Sequence, residues 1–140
     1  MIRFANKFDI DDIIKLLKEF AESSPLAMKF DPMNWSRTEI VATLTSILSG
    51  QGFILIDNKK TSILIAVKSN PMWVNNAIQL QECMLYSPNK ITQSKLIMKF
   101  VSIAKEMLEK KEIHHAVMYS YVDSNFEKLG LKKTQYIWEV

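Results

Sequence analysis

Asp123-Ser-Asn-Phe-Glu-Lys-Leu-Gly-Leu-Lys-Lys133 lies between two runs of strand-forming residues, Ile113-His-His-Ala-Val-Met-Tyr119 and Thr134-Gln-Tyr-Ile-Trp-Glu-Val140. The segment predicts a helix of one to two turns. Asp123 or Ser124 offers an N-cap acceptor, and Gly130 supplies the left-handed residue that often ends a helix. A strand, a short helix and a last strand are therefore expected to close the chain.

Upstream the same reasoning yields an alternation of helices and strands. Ile2–Ala5 is a short strand, and Asp9 is expected to cap a helix with Ile10, Ile13, Ile14, Leu17, Phe20 and Ala21 on one face. A long apolar loop, 23–35, carries Leu26, Met28, Phe30, Met33 and Trp35. Ser36 and Glu39 have capping-box spacing, and Trp35 and Ile40 have that of a hydrophobic staple. The helix they open has the stripe Ile40, Val41, Leu44, Ile47 and Leu48, with Gly50 as its stop. Two β-rich runs, 52–57 and 61–68, flank the hairpin connection Asn58-Lys59-Lys60. A polar loop, 69–76, holds the isolated pair Met72-Trp73, and 77–86 alternates as a strand. Residues 87–92 are expected as a loop, and 93–111 as the longest helix, with Leu96, Ile97, Phe100, Val101, Ala104, Met107 and Leu108 facing inward. The predicted order is β-α-α-β-β-β-α-β-α-β.

With 140 residues, nearly half of them apolar, the chain can bury a core without disulfide or metal support and is expected to form one domain. A single cysteine, Cys83, excludes an intramolecular disulfide and a cysteine-based zinc site. His114 and His115 are neighbours on a strand and point to opposite faces, so no metal site is expected from them. A net charge of +3 fits a phosphorylated small molecule and is too slight to indicate nucleic acid. No membrane span or signal segment is evident, so a cytoplasmic location is expected.

The strand, the short helix ending Leu129-Gly-Leu131 and the last strand resemble the end of the GCN5-related N-acetyltransferase (GNAT) fold. There the run is typically aromatic-Tyr-Glu-Lys-Leu-Gly-Phe. The element order resembles that fold over almost the whole chain, which implies an α+β, α/β/α sandwich on a mixed, mostly antiparallel sheet. The 69–76 loop and the Glu82–Pro88 strand end are similar to GNAT proteins encoded by bacteriophages, which would make the location a host cytoplasm or a virion.

The resemblance implies acetyl transfer from acetyl-CoA to an amine of a small molecule or protein, without a metal. Glu82-Cys-Met-Leu-Tyr-Ser-Pro88 resembles the family's fourth strand, which splays from the fifth to admit acetyl-CoA. After the proline the family carries Arg/Gln-x-x-Gly-x-Gly/Ala, whose backbone N–H groups bind the pyrophosphate. Those positions are Ile91, Ser94 and Leu96 here, so the loop is degenerate: it has neither arginine nor glycine. A helix N-terminus still offers donors and a positive dipole end. Lys90, Thr92, Gln93, Ser94 and Lys95 are the candidate cofactor contacts, beside their alternative role of capping and solvating the helix. Backbone N–H groups near Leu85 or Tyr86 are the implied oxyanion donors.

Glu82 is the candidate base. Strict alternation places it with Ile78, Leu80, Met84 and Tyr86, apolar company that raises a carboxyl pKa; the alternative is a β-bulge that turns it to solvent or into a salt bridge. Phe126 matches the position of the family's tyrosine acid; it cannot donate a proton and is a candidate cofactor contact. Tyr119 and Tyr121 are the candidate replacements. Cys83 has no histidine placed to activate it and is expected to be buried. Phe30, Met72 and Trp73 are the candidate acceptor-binding residues, and their apolar character disfavours polyamines. The alternative function is a GNAT-fold binding or structural module without catalysis, and a homodimer is consistent with the family's habit.

Overall fold

The computed structural model describes residues 1–23, 36–72, 76–119 and 126–133. Asn6 caps the first helical turn, its side chain accepting from the Phe8 N–H while Asp9 returns a bond to the Asn6 N–H. Asp9 is thus the third residue of a capping box, not the cap itself. Its carboxylate is buried and clamped by both guanidinium nitrogens of Arg3 at 2.8 and 2.9 Å. Helix α1 (Ile10–Ser23) continues from that turn, after strand β1 (Ile2–Phe4).

Ser36 caps α2 (Arg37–Ser46), accepting from the Glu39 N–H at 3.4 Å. The helix leaves through a wider turn, Ile47–Gln51, where Gly50 takes φ +126° and redirects the chain into β2 (Gly52–Asp57). Trp35, the staple residue, lies outside the described residues. Between β2 and β3 (Ile63–Ser69) the buried Asp57 carboxylate accepts from the Thr61 and Ser62 N–H groups and from the Thr61 hydroxyl. That turn holds Thr61 and Ser62 out of the ladder, so β3 starts two residues later than alternation predicts. Strand β4 (Gln79–Tyr86) follows, then α3 (Lys90–Glu109) and β5 (His115–Val117), shorter than its apolar run.

The five strands lie in chain order, antiparallel from β1 to β4 and parallel between β4 and β5. Leu55, Leu64, Ala66 and Leu80 pack on one face against Leu96, Ile97, Phe100, Val101, Ala104 and Met107 of α3. Ile54, Ile56, Ile63, Ile65 and Met84 pack on the other against Ile13, Ile14 and Leu16 of α1, with Leu44 and Ile47. The result is an α/β/α sandwich, and β2 and β3, buried on both faces, are accordingly continuous apolar runs.

Among the described residues Phe126–Leu129 forms one tight 3-10 turn, at the short end of the one to two turns expected. Gly130 ends it at φ +94°, its N–H donating to the Glu127 carbonyl, and Phe126, Leu129 and Leu131 rest on the α3 core. The cap candidates Asp123 and Ser124 and the last predicted strand, 134–140, lie outside the described residues.

Candidate active site where the fourth and fifth strands part

Strand β4 carries one residue too many for its partner. Ile65 pairs with Met84 and Ala66 with Glu82, which leaves Cys83 as a bulge. Side-chain alternation restarts across such an insertion. Leu80 and Glu82 therefore face α3, whereas Met84 and Tyr86 face α1 and α2. Strict alternation had grouped all four. The bulge corrects that grouping, and it does so without turning Glu82 to solvent: the residue is only 4% exposed.

Strand β5 pairs with β4 at Gln79, Leu80 and Gln81 and no further among the described residues. Beyond Gln81 the ladder ends, and among the described residues the edge of β4 from Glu82 to Tyr86 has no β5 partner. Glu82 sits at the fork. Its Oε2 accepts from the Tyr119 N–H at 3.2 Å, so a side chain takes a backbone donor just past the end of the ladder. Burial pushes the Glu82 carboxyl up to about 7, against a smaller lowering by that Tyr119 N–H. Near neutrality such a group exists in both protonation states and can take and release a proton.

Tyr119 thus reaches the site through its backbone. Tyr121 lies outside the described residues. Tyr86, expected beside the cofactor, turns its ring to the other layer, 6.3 Å from Phe20 at 69°. Its phenol is pushed up by burial and by Glu19 and Glu22 of α1. Leu85 packs into the α3 core. Cys83 is an exposed residue rather than a buried one; partial desolvation of its sulfur and then the Glu82 charge push its thiol up, away from the thiolate.

The segment expected as a loop before 93 is already helical. Only Ser87, Pro88 and Asn89 separate β4 from α3, whose first residue is Lys90. Asn89 is the N-cap, and its Oδ1 accepts from the Ile91 N–H at 2.8 Å and the Thr92 N–H at 3.2 Å. The Gln93 N–H is taken by the Asn89 carbonyl. Of the donors an incoming anion would use, those of Ile91 and Thr92 are engaged by the chain's own side chain. Lys90 and Lys95 are exposed, Thr92, Gln93 and Ser94 half-buried, and Leu96 fully buried in the core. The Asn89 cap was missed in the sequence, although asparagine after proline and before a helix is a recognisable start signal.

Met72 is 90% exposed in the loop between β3 and β4, and Phe30 and Trp73 lie outside the described residues. Phe126 packs against the α3 core. His114 pairs with Ile78, its backbone N–H donating to the Ile78 carbonyl and its Nδ1 accepting from the Ile78 N–H, while His115 faces Gln79.

The architecture, with a parallel β4–β5 pair at the edge of an otherwise antiparallel sheet, is the GNAT acetyltransferase fold. A predicted acetyltransferase from Clostridium acetobutylicum, solved with acetyl-CoA, superposes with a TM-score of 0.68 over 100% of this chain and 94% of its own, at 13% identity. Glucosamine-6-phosphate N-acetyltransferase from Arabidopsis thaliana gives 0.66 at 13% identity over 100% and 96% of the two chains. A probable acetyltransferase gives 0.67 at 12% identity over 100% and 97%. Neither a family model nor a curated protein matches the sequence. The likeness is one of fold.

Proposed function

We propose that this protein transfers an acetyl group from acetyl-CoA to an amine, with Glu82 as the base. The observation that carries this reading is the buried Glu82 carboxylate at the fork of β4 and β5, tuned to about 7 and oriented by the Tyr119 N–H. The acetyltransferase neighbours support the reaction class. The pantetheine thioester would enter along the unpaired edge of β4, where backbone N–H groups near Leu85 and Tyr86 would face its carbonyl. Glu82 takes the proton from the amine as nitrogen attacks the carbonyl carbon. The C–N bond forms, the C–S bond breaks, and the thiolate takes up a proton from solvent or from a tyrosine hydroxyl, Tyr119 or Tyr121. Phe126 contributes only packing. Lys90, Thr92, Gln93, Ser94 and Lys95 would meet the diphosphate end, and Phe30, Met72 and Trp73 the acceptor.

The test is release of free thiol from acetyl-CoA across a panel of amines, beside calorimetric binding of acetyl-CoA. Removal of a positioned base lowers turnover by about 10²- to 10⁴-fold, so Glu82→Gln should show a loss of that order with acetyl-CoA binding retained. Binding without thiol release from any amine would sink the reading and leave a GNAT-fold binding module.

A further inference from the structure

The outer line of α3 carries two exposed apolar side chains among polar ones. Ile91 is 69% exposed and Met98 57% exposed. With Lys95 and Ser102 they stand at i, i+4, i+7 and i+11, which places them on one line along the helix surface. Lys90, Lys95, Lys99 and Lys105 are all exposed, and no acidic residue occurs between Lys90 and Lys105. Among the described residues Lys90, Lys95 and Lys105 have no carboxylate partner. Surface lysines need no explanation alone, but exposed apolar anchors set among unpaired cations form a surface complementary to an acidic, partly apolar one.

The position of this face narrows the partner. Only three residues separate its first turn from the end of β4, the strand that carries Glu82. At that turn Asn89 occupies the Ile91 and Thr92 donors a diphosphate would need. A donor whose thioester arm hangs from a protein needs no diphosphate grip, because protein–protein contacts supply the binding.

We propose that the α3 face docks an acidic helical carrier protein that presents its acyl group on a phosphopantetheine arm. The inference rests on the acyl-transfer reading of the Glu82 site and names a second class of donor for it. In the transfer, the carrier's C–S bond breaks and the C–N bond to the amine forms. The amine proton passes to Glu82, and the thiol stays on the carrier's arm.

The test compares acetyl-loaded holo-acyl carrier protein with acetyl-CoA, using the wild type and a Met98→Asp/Lys99→Glu variant. Both substituted residues are exposed helix positions remote from Glu82 in sequence and outside the cofactor contacts. Binding of the carrier is measured by fluorescence anisotropy at low salt, and turnover by amide formation. The variant and raised salt should each weaken carrier binding by about tenfold or more while thiol release from acetyl-CoA is unchanged. Failure of the carrier to bind at low salt, or binding indifferent to the variant, overturns the docking proposal even if acetyl-CoA is turned over. Variant-sensitive binding without turnover of either donor supports the docking face and removes the transfer reading instead.

Discussion

Glu82 couples the chemistry of the fork to the stability of the fold. Its folded pKa, about 7, lies above the ordinary carboxyl value, so between the two the folded state holds more proton than the unfolded state. Stability contributed by the neutral form is therefore complete at acidic pH and declines as pH rises toward about 7. The displacement amounts to roughly 3 kcal/mol at full ionisation. Denaturant titrations at successive pH values should show the decline in the wild type and a flatter profile in Glu82→Gln. Asp9 works in the opposite sense. Arg3 holds its carboxyl down to about 2, so its contribution is present above the ordinary carboxyl range and disappears only as pH falls through that range toward 2. Glu82 was legible as a candidate because a carboxylate flanked by Leu80 and Met84 is conspicuous. What held it was not legible, since a contact with the Tyr119 N–H, 37 residues away, leaves no local trace.

At the scale of elements, helix starts and tight crossings set what each segment can do. Asn89 satisfies two donors of α3 with its own side chain, and replacing it with glycine removes that competitor at a cost of only a few tenths of a kcal/mol in capping. Asn89→Gly should tighten binding of acetyl-CoA and of coenzyme A itself, read by calorimetry; unchanged affinity would mean the diphosphate does not seat there. Gly52 is constrained differently. A Cβ on it would stand 2.0 Å from the Ala66 carbonyl oxygen and 2.8 Å from the Val67 Cα, both backbone atoms of β3. Gly52→Ala should cost about 1–3 kcal/mol or more, seen as a lowered denaturation midpoint, because the β2–β3 pairing has to separate. The helical stripes and the hairpin could be read from periodicity, which reports burial directly, except at Leu108, expected to face inward and found exposed near the end of α3. The start of α3 could not, because Lys90, Ile91 and Thr92 form a first turn capped by Asn89 and do not continue the apolar stripe. The bulge was equally invisible, since an extra residue in one strand is defined by its partner strand.

Across the whole molecule, the sheet divides two apolar layers, and β4 serves both. Leu80 and Leu85 belong to the layer under α3, and Met84 and Tyr86 to the layer under α1 and α2. The element order and the Gly130 stop were enough to identify this architecture from sequence, because each reflects local chain preference summed over many residues. Strand β5 is shorter than its run because Ile113 is buried in the α3 core and His114 pairs with Ile78 ahead of the ladder. No helix among the described residues is long and apolar enough to cross a membrane.

One residue position in this arrangement is supernumerary. Cys83 is exposed, so Cys83→Ser should leave the fold and its melting temperature almost unchanged. Deleting Cys83 would join Glu82 directly to Met84, whose partners Ala66 and Ile65 are already neighbours on β3, so both faces of β4 would keep their residues. The shortened chain should still unfold in one cooperative thermal transition. What it would lose is the local bend and added twist that a bulge gives a strand. Cys83 is a spare stitch in the ladder, carried for the bend it makes.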